Sequence, residues 1–266
     1  NFCGLKMETK QNEINVPDTI KDFVFDLHDA TRRSYRLGDV HPLYEFRFKE
    51  LSDKFFTQSM WPSEAAVSSE CDNDEIFLLF YRELTLRHFF AKQKQIQVAP
   101  YLDSWNTYKK LFDLLISSPN SFIAITPQWA YDIVQEFVYQ FQSFSQFRSQ
   151  TNEHSEEDAT LLEANKLAWS YPAVTYLLSR AINLTKSYAP SGSIHYLVGY
   201  FSVIELSRVE CLVCDYSAAL ETISHLSFVN NSLSSSSSNS VELYSHVFLS
   251  HINLFYHTGI SLLMLG

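Results

Sequence analysis

Apolar residues return at three- and four-residue intervals from Pro17 almost to the end of the chain, the period of helices that bury one face. The pattern, with its start and stop signals, predicts about ten helices near 17–35, 42–58, 73–94, 101–117, 127–149, 156–167, 171–187, 194–212, 216–228 and 241–265. Five prolines (Pro17, Pro42, Pro62, Pro127 and Pro172) read as helix starts, where the missing N–H has no partner to lose. Thr126, Asn73 and Ser193 read as N-caps, and Ser155 with Asp158 as a capping box. Strand alternation is weak everywhere, and the Ile-Ala-Ile before Thr126 is the best candidate for it.

Two segments have apolar faces too broad for surface helices. In NDEIFLLFYRELTLRHFFAK (73–92) apolar residues run almost all round, which predicts an inner helix. Glu83 and Arg87 sit four apart there, at the spacing of an intrahelical ion pair with a structural role. In 127–150, Ala130, Ile133, Val134, Phe137, Val138, Phe141 and Phe144 share one face, opposite Gln135, Gln142 and Gln146. Alternating inner and outer helices on short connections predict an all-α fold of stacked antiparallel helix pairs. LVCDYSAALETI (212–223) sets an aromatic after a turn and then two small residues, as in a degenerate tetratricopeptide-like array. Gly259, inside an apolar helix, predicts a close helix crossing. The expected organisation is a loose tail at 1–16, a helical-repeat domain at 17–228, a Ser-rich flexible insertion at 229–240, and the start of further helical repeats at 241–266.

Composition narrows the function. Six glycines in 266 residues argue against a turn-rich β fold, and neither a dinucleotide fingerprint nor a P-loop occurs. With 20 basic and 30 acidic residues the formal charge is −10, so direct nucleic-acid binding is not expected. The longest apolar run, 247–265, is interrupted by His251, Asn253 and His257, so no membrane span is expected. Four cysteines do not make a disulfide framework and favour a reducing compartment.

Each candidate for chemistry has a simpler reading. Cys211 and Cys214 form a C-x-x-C with no second pair for zinc and no βαβ setting for a redox site, so they read as reduced, metal-free packing residues. His246, His251 and His257 are spaced by five and six, whereas helical zinc pairs need about four. Asp72, Asp74 and Glu75, and the acids at 156–158, suit helix N-termini better than a cation site. No nucleophile elbow is present. The rings of 137–148 lack the basic neighbours of a base-stacking platform. No catalytic, cofactor or metal residue is predicted. The predicted partner-interface residues are Gln142, Gln146, Leu243, Val247, Phe248, Ile252 and Phe255, the last five from a final helix whose apolar surface lacks a polar cap.

Three stretches carry a family resemblance: WPSEA with NDEIFLLFYRELTLRHFFAK, PQWAYDIVQEFVYQFQSFSQFR, and LVGYFSVIELSRVECLVCDYSAALETISHL. Together with SEEDATLLEANKLAWS they resemble the L-subunit family of eukaryotic translation initiation factor 3, with YQFQSFSQFR the most specific run. The likeness is good over 61–226, looser over 17–59, and weaker past Phe228, where the serine tract intervenes. Family members continue into more helices and a winged-helix module, the PCI domain, which this sequence does not reach. The resemblance implies a non-catalytic, cytoplasmic scaffold without cofactors. Its implied partners are the E and K subunits and, through the complex, the small ribosomal subunit. Two alternatives are a PCI-type scaffold of the proteasome lid or signalosome, and an all-helical enzyme with an unrecognised site.

Overall fold

The computed structural model describes residues 16–93, 96–117, 123–150, 154–187, 193–226 and 247–266, and among these it is all helix, turn and connection. The expected tail at 1–16 lies outside the described residues apart from Val16, as do Leu243, His246 and the serine tract.

Helix α1 (Asp18–His28) starts directly after Pro17 and buries Ile20, Phe23, Val24 and Leu27, a spacing of three and four. It ends in a wide turn, Asp29–Arg33, that leads to α2 (Leu37–Pro42). Pro42 was expected to open a helix, but it closes one. The residues before it are already helical, and its missing N–H shifts the chain into a π-type turn at Leu43–Arg47 before α3 (Phe48–Phe55). Pro62 likewise lies ahead of the helix start: Ser63 precedes α4 (Glu64–Val67), a short piece with a 3₁₀ turn after it, too brief for periodicity to reveal.

Helix α5 (Glu75–Lys92) is capped by Asp74, whose carboxylate accepts from the N–H groups of Ile76 and Phe77. Asn73, the expected cap, has φ 53°, a left-handed conformation that an N-cap does not adopt. Asp74 also accepts from Arg32 at 2.7 Å, which ties the turn after α1 to the start of α5. The Ile-Ala-Ile segment is no strand. It makes one backbone bond, from Ala124 N–H to Thr31 C=O, and buries Ile123 and Ile125.

Helices α6 (Val98–Ser117) and α7 (Pro127–Ser149) carry the aromatic core. Thr126 caps α7 as expected, its hydroxyl accepting from Trp129 N–H. Phe137 is fully buried and meets Trp105, Tyr108, Phe112 and Trp169, with ring centroids 4.8–6.3 Å apart. This packing answers why 137–148 holds so many rings: Phe137, Phe141 and Phe144 are core, while Tyr139 is exposed and Phe147 half-buried. Trp169 comes from the link between α8 (Glu156–Ala164) and α9 (Tyr171–Ser187). Its backbone is left-handed at φ 52°, unusual for a bulky residue, and it is held there by the ring cluster and an indole N–H bond to Tyr101 C=O at 2.8 Å. Ser155 caps α8 as the capping box predicts.

Helix α10 (Ile194–Leu212), capped by Ser193, is the most enclosed, with fifteen of its nineteen residues buried. It packs against α7, α9, α11 (Tyr216–Ser224) and α12 (Phe248–Leu265). This arrangement is an all-α helical-repeat fold. In the turn pair α10–α11, Ala219 is buried at the close approach, whereas Ala218 and Tyr216 are only half-buried.

The predicted Glu83–Arg87 pair forms, at 2.7 Å, and Glu83 is fully buried. Arg87 donates to Tyr44, and Tyr108 donates to Glu83 at 3.0 Å, so the pair joins α5 to α6 and to the turn after α2. Burial pushes the Glu83 carboxyl up, against the pull of Arg87. A pair this enclosed costs desolvation, which the hydrogen bonds to Tyr44 and from Tyr108 help to offset.

Candidate partner interface

Helix α12 is an apolar helix docked by its polar side. Its buried residues are Ser250, His257 and Ser261. With the half-buried Asn253 they fall at spacings of three, four and four, a single stripe on one face. That stripe faces α10 and α11. Asn253 Nδ2 donates to Glu205 Oε1 of α10 at 3.1 Å and to the Tyr131 hydroxyl of α7 at 2.7 Å. Cys211 Sγ lies 3.1 Å from Ser261 Oγ and 3.6 Å from the carbonyl of His257.

Beneath the stripe is a buried charged group. Arg208 reaches Glu205 at 3.4 Å, donates to Gln142 Oε1 at 2.6 Å, and lies 4.1 Å above the Tyr139 ring. Burial pushes the Glu205 carboxyl up to about 7, although Arg208 and the Asn253 amide pull it down. Burial first, and Arg208 second, hold His257 down at about 4.

The other side of α12 faces outward. Phe248 and Phe255 are each 72% exposed and Leu263 79%, and Leu249, Ile252, Tyr256, Leu262, Met264 and Leu265 are exposed as well. A contiguous apolar surface of this kind marks an interaction site. Of the predicted interface residues, Phe248, Ile252 and Phe255 line this face, and Val247 is buried beneath the helix start. Gln142 is half-buried and bonded to Arg208, while Gln146 is exposed on α7, away from α12. Leu243 lies outside the described residues.

Two expectations need correction. No close crossing occurs at Gly259 among the described residues: a Cβ there would meet none of them within 4 Å. The run 247–265, read as too broken to span a bilayer, forms one continuous 18-residue helix long and apolar enough to cross one by length and composition alone. Two of the interrupting residues, Asn253 and His257, join Ser250 and Ser261 in the stripe that docks on α10 and α11, so helix geometry gathers these four on one side. Sequence reasoning took Asn253 and His257 as interruptions. Their register with Ser250 and Ser261 was the signal that could have revealed a docking stripe.

Cys71, Cys211 and Cys214 are free thiols, and among the described residues no group of three or more His, Cys, Asp or Glu side chains is placed to hold a metal. Burial raises the thiols of Cys71 and Cys211, opposite to the shift a reactive cysteine needs.

Residues 101–266 match the family described as RNA polymerase I-associated factor PAF67. Proteins named eukaryotic translation initiation factor 3 subunit L are similar over most of the chain. The one from Nematostella vectensis is 29% identical over 270 residues, covering 94% of this chain and 49% of that protein. The one from Drosophila persimilis is 30% identical, covering 98% and 51%. The one from Danio rerio is 31% identical, covering 84% and 40%. This chain therefore spans about half the length of the curated relatives it matches. With the family matched across α6 to α12, and these relatives across the rest, the chain belongs to the PAF67 family, that of the L subunit of eukaryotic translation initiation factor 3.

Proposed function

We propose that this chain is the helical-repeat part of a non-catalytic scaffold subunit of the translation initiation factor, acting in the cytoplasm in assembly of the initiation complex on the small ribosomal subunit. The observation that carries this reading is the outward apolar face of α12, set on a polar seam, in a relative of the L subunit. Other subunits, with E and K first, are the expected neighbours, and residues 241–266 begin a further run of helical repeats. The net charge of −10 supports contact with the ribosome through the complex rather than through RNA held by this chain.

The test is reconstitution with the remaining subunits, using Ile252→Glu and Phe255→Glu together. Both positions are exposed, so the free chain should melt unchanged while its incorporation falls at least tenfold. Full incorporation of the double variant would remove the α12 face from the proposal. Failure of the wild-type chain to join the complex at all would overturn the scaffold reading.

A further inference from the structure

A second surface lies on the opposite side of α7. A groove of about 750 Å³ opens between the C-terminal end of α5, the start of α6, and α7 with the start of α8. Its titratable lining groups are Glu136, Asp158, His154, Tyr101 and Tyr139, and no described residue lining it is a lysine or arginine. Rings form one wall. Phe90 and Tyr101 lie 5.2 Å apart, Tyr101 and Phe147 5.5 Å, and Phe147 and His154 4.6 Å.

Glu136 is the group that gives this groove its chemistry. Among the described residues its one hydrogen-bond donor is the Gln140 amide at 3.0 Å, which is itself held by the buried Ser104 hydroxyl. Arg87 draws on its charge, but that guanidinium is already committed to Glu83, Tyr44 and Asp132. Burial pushes the Glu136 carboxyl up to about 7, and the nearby acids Glu83 and Asp132 add to the rise against the pull of Gln140 and Arg87. Among the described residues that line it, the groove therefore offers a poorly compensated carboxylate and π faces with no lysine or arginine, and Arg208, over the Tyr139 ring, is already taken by Glu205 and Gln142, an arrangement that fits a cation with an apolar stem. An anion such as a nucleic-acid phosphate would meet the carboxylates of Glu136 and Asp158 there.

We propose that this groove binds a basic side chain, arginine or lysine, presented by an extended segment of a partner protein. Glu136 accepts the cationic head, Gln140 holds the carboxylate in position, and the Tyr101–Phe147 wall receives the methylene stem. Asp158, at the rim, attracts the incoming charge. This site is independent of the α12 face, so either can fail without the other.

The probe is a fluorescein-labelled peptide, acetyl-Gly-Leu-Arg-Leu-Gly-amide, with its citrulline counterpart as the isosteric neutral control, at physiological salt. The arginine peptide should bind at least tenfold more tightly than the citrulline peptide. Glu136→Gln should abolish that difference without lowering the melting temperature, since it removes a buried charge. Glu157→Gln, an exposed acid on α8, should leave it intact. Affinity for the arginine peptide should rise about tenfold from pH 6 to pH 8 as Glu136 ionises, a rise absent in Glu136→Gln and retained in His154→Gln. Equal binding of the two peptides, no binding, or binding untouched by Glu136→Gln would each overturn the proposal.

Discussion

Helices α7 and α12 are both rich in rings and both pack on α10, yet they turn opposite faces toward it. Helix α7 buries Tyr131, Val134, Phe137, Val138 and Phe141 and keeps Gln146 and Ser149 outside. Helix α12 buries Ser250, His257 and Ser261 and leaves Phe248, Phe255 and Leu263 in solvent. The energetics differ accordingly. Fully burying a Phe contributes about 1.5–3 kcal/mol, whereas a typical intramolecular hydrogen bond contributes a net of about 0.5–1.5 kcal/mol. Helix α7 is therefore part of what makes the array fold, and α12 is held lightly. An apolar face left outward on a lightly held helix is surface available to another body.

The comparison can be broken most decisively at Phe137 and Phe255. Phe137→Ala leaves a cavity among four aromatic neighbours and should cost about 3–5 kcal/mol in chemical denaturation. Phe255→Ala should change stability by no more than about 0.5 kcal/mol. Similar losses at the two positions would mean that α12 is core after all.

The seam under α12 should show in the pH profile. Glu205 titrates higher in the folded protein than in the unfolded chain, so the native state binds the extra proton. Its burial therefore lowers stability as the pH rises from about 4.5 to about 7, by on the order of 3 kcal/mol, and the cost is complete above that. His257 has the opposite sign. It is held neutral in the fold, and its contribution is lost as the pH falls from about 6.5 toward about 4. The two offset each other between about 4.5 and 6.5. In His257→Asn that offset disappears, and stability should fall more steeply with rising pH across the window than in the wild type. Glu136 titrates in the same range but is present in both proteins. Superimposable profiles would show that the seam does not carry this coupling.

A smaller effect is expected at Asn253, whose amide bridges Glu205 and Tyr131. Asn253→Ala leaves both without that donor and should cost about 1–2 kcal/mol. The loss should be local, with faster hydrogen exchange in α12 and unchanged exchange in α7. Uniform acceleration would contradict the view that the two helices are held separately. The smallest change is a gain. Gly259→Ala places a methyl where no atom lies within 4 Å, and the improved helix propensity should add about 0.5–1 kcal/mol to the local stability of α12. A loss would indicate a close neighbour.

The sequence by itself determined the helical class, most helix positions, the caps at Thr126, Ser155 and Ser193, the Glu83–Arg87 pair and the core role of Phe137, Phe141 and Phe144. These depend on local geometry: a 3.6-residue period, side-chain oxygens at a helix start, and a four-residue spacing are written in neighbouring positions. The wide turn after Pro42 and the cap at Asp74 also have local causes, but alternatives of nearly equal energy decide them, and periodicity does not separate those. The standing of α10 as the most buried helix was not legible, because Glu205, Arg208 and Glu210 break its apolar pattern, and partners on α7 and α12 make the burial of Glu205 and Arg208 tolerable. The same holds for α12. Its composition says that it is apolar, but which face turns inward depends on hydrogen-bond partners 48 and 122 residues away in sequence, at Glu205 and Tyr131. Tertiary structure decided that face, since a polar stripe finds its donors and acceptors only where the rest of the chain has already placed them.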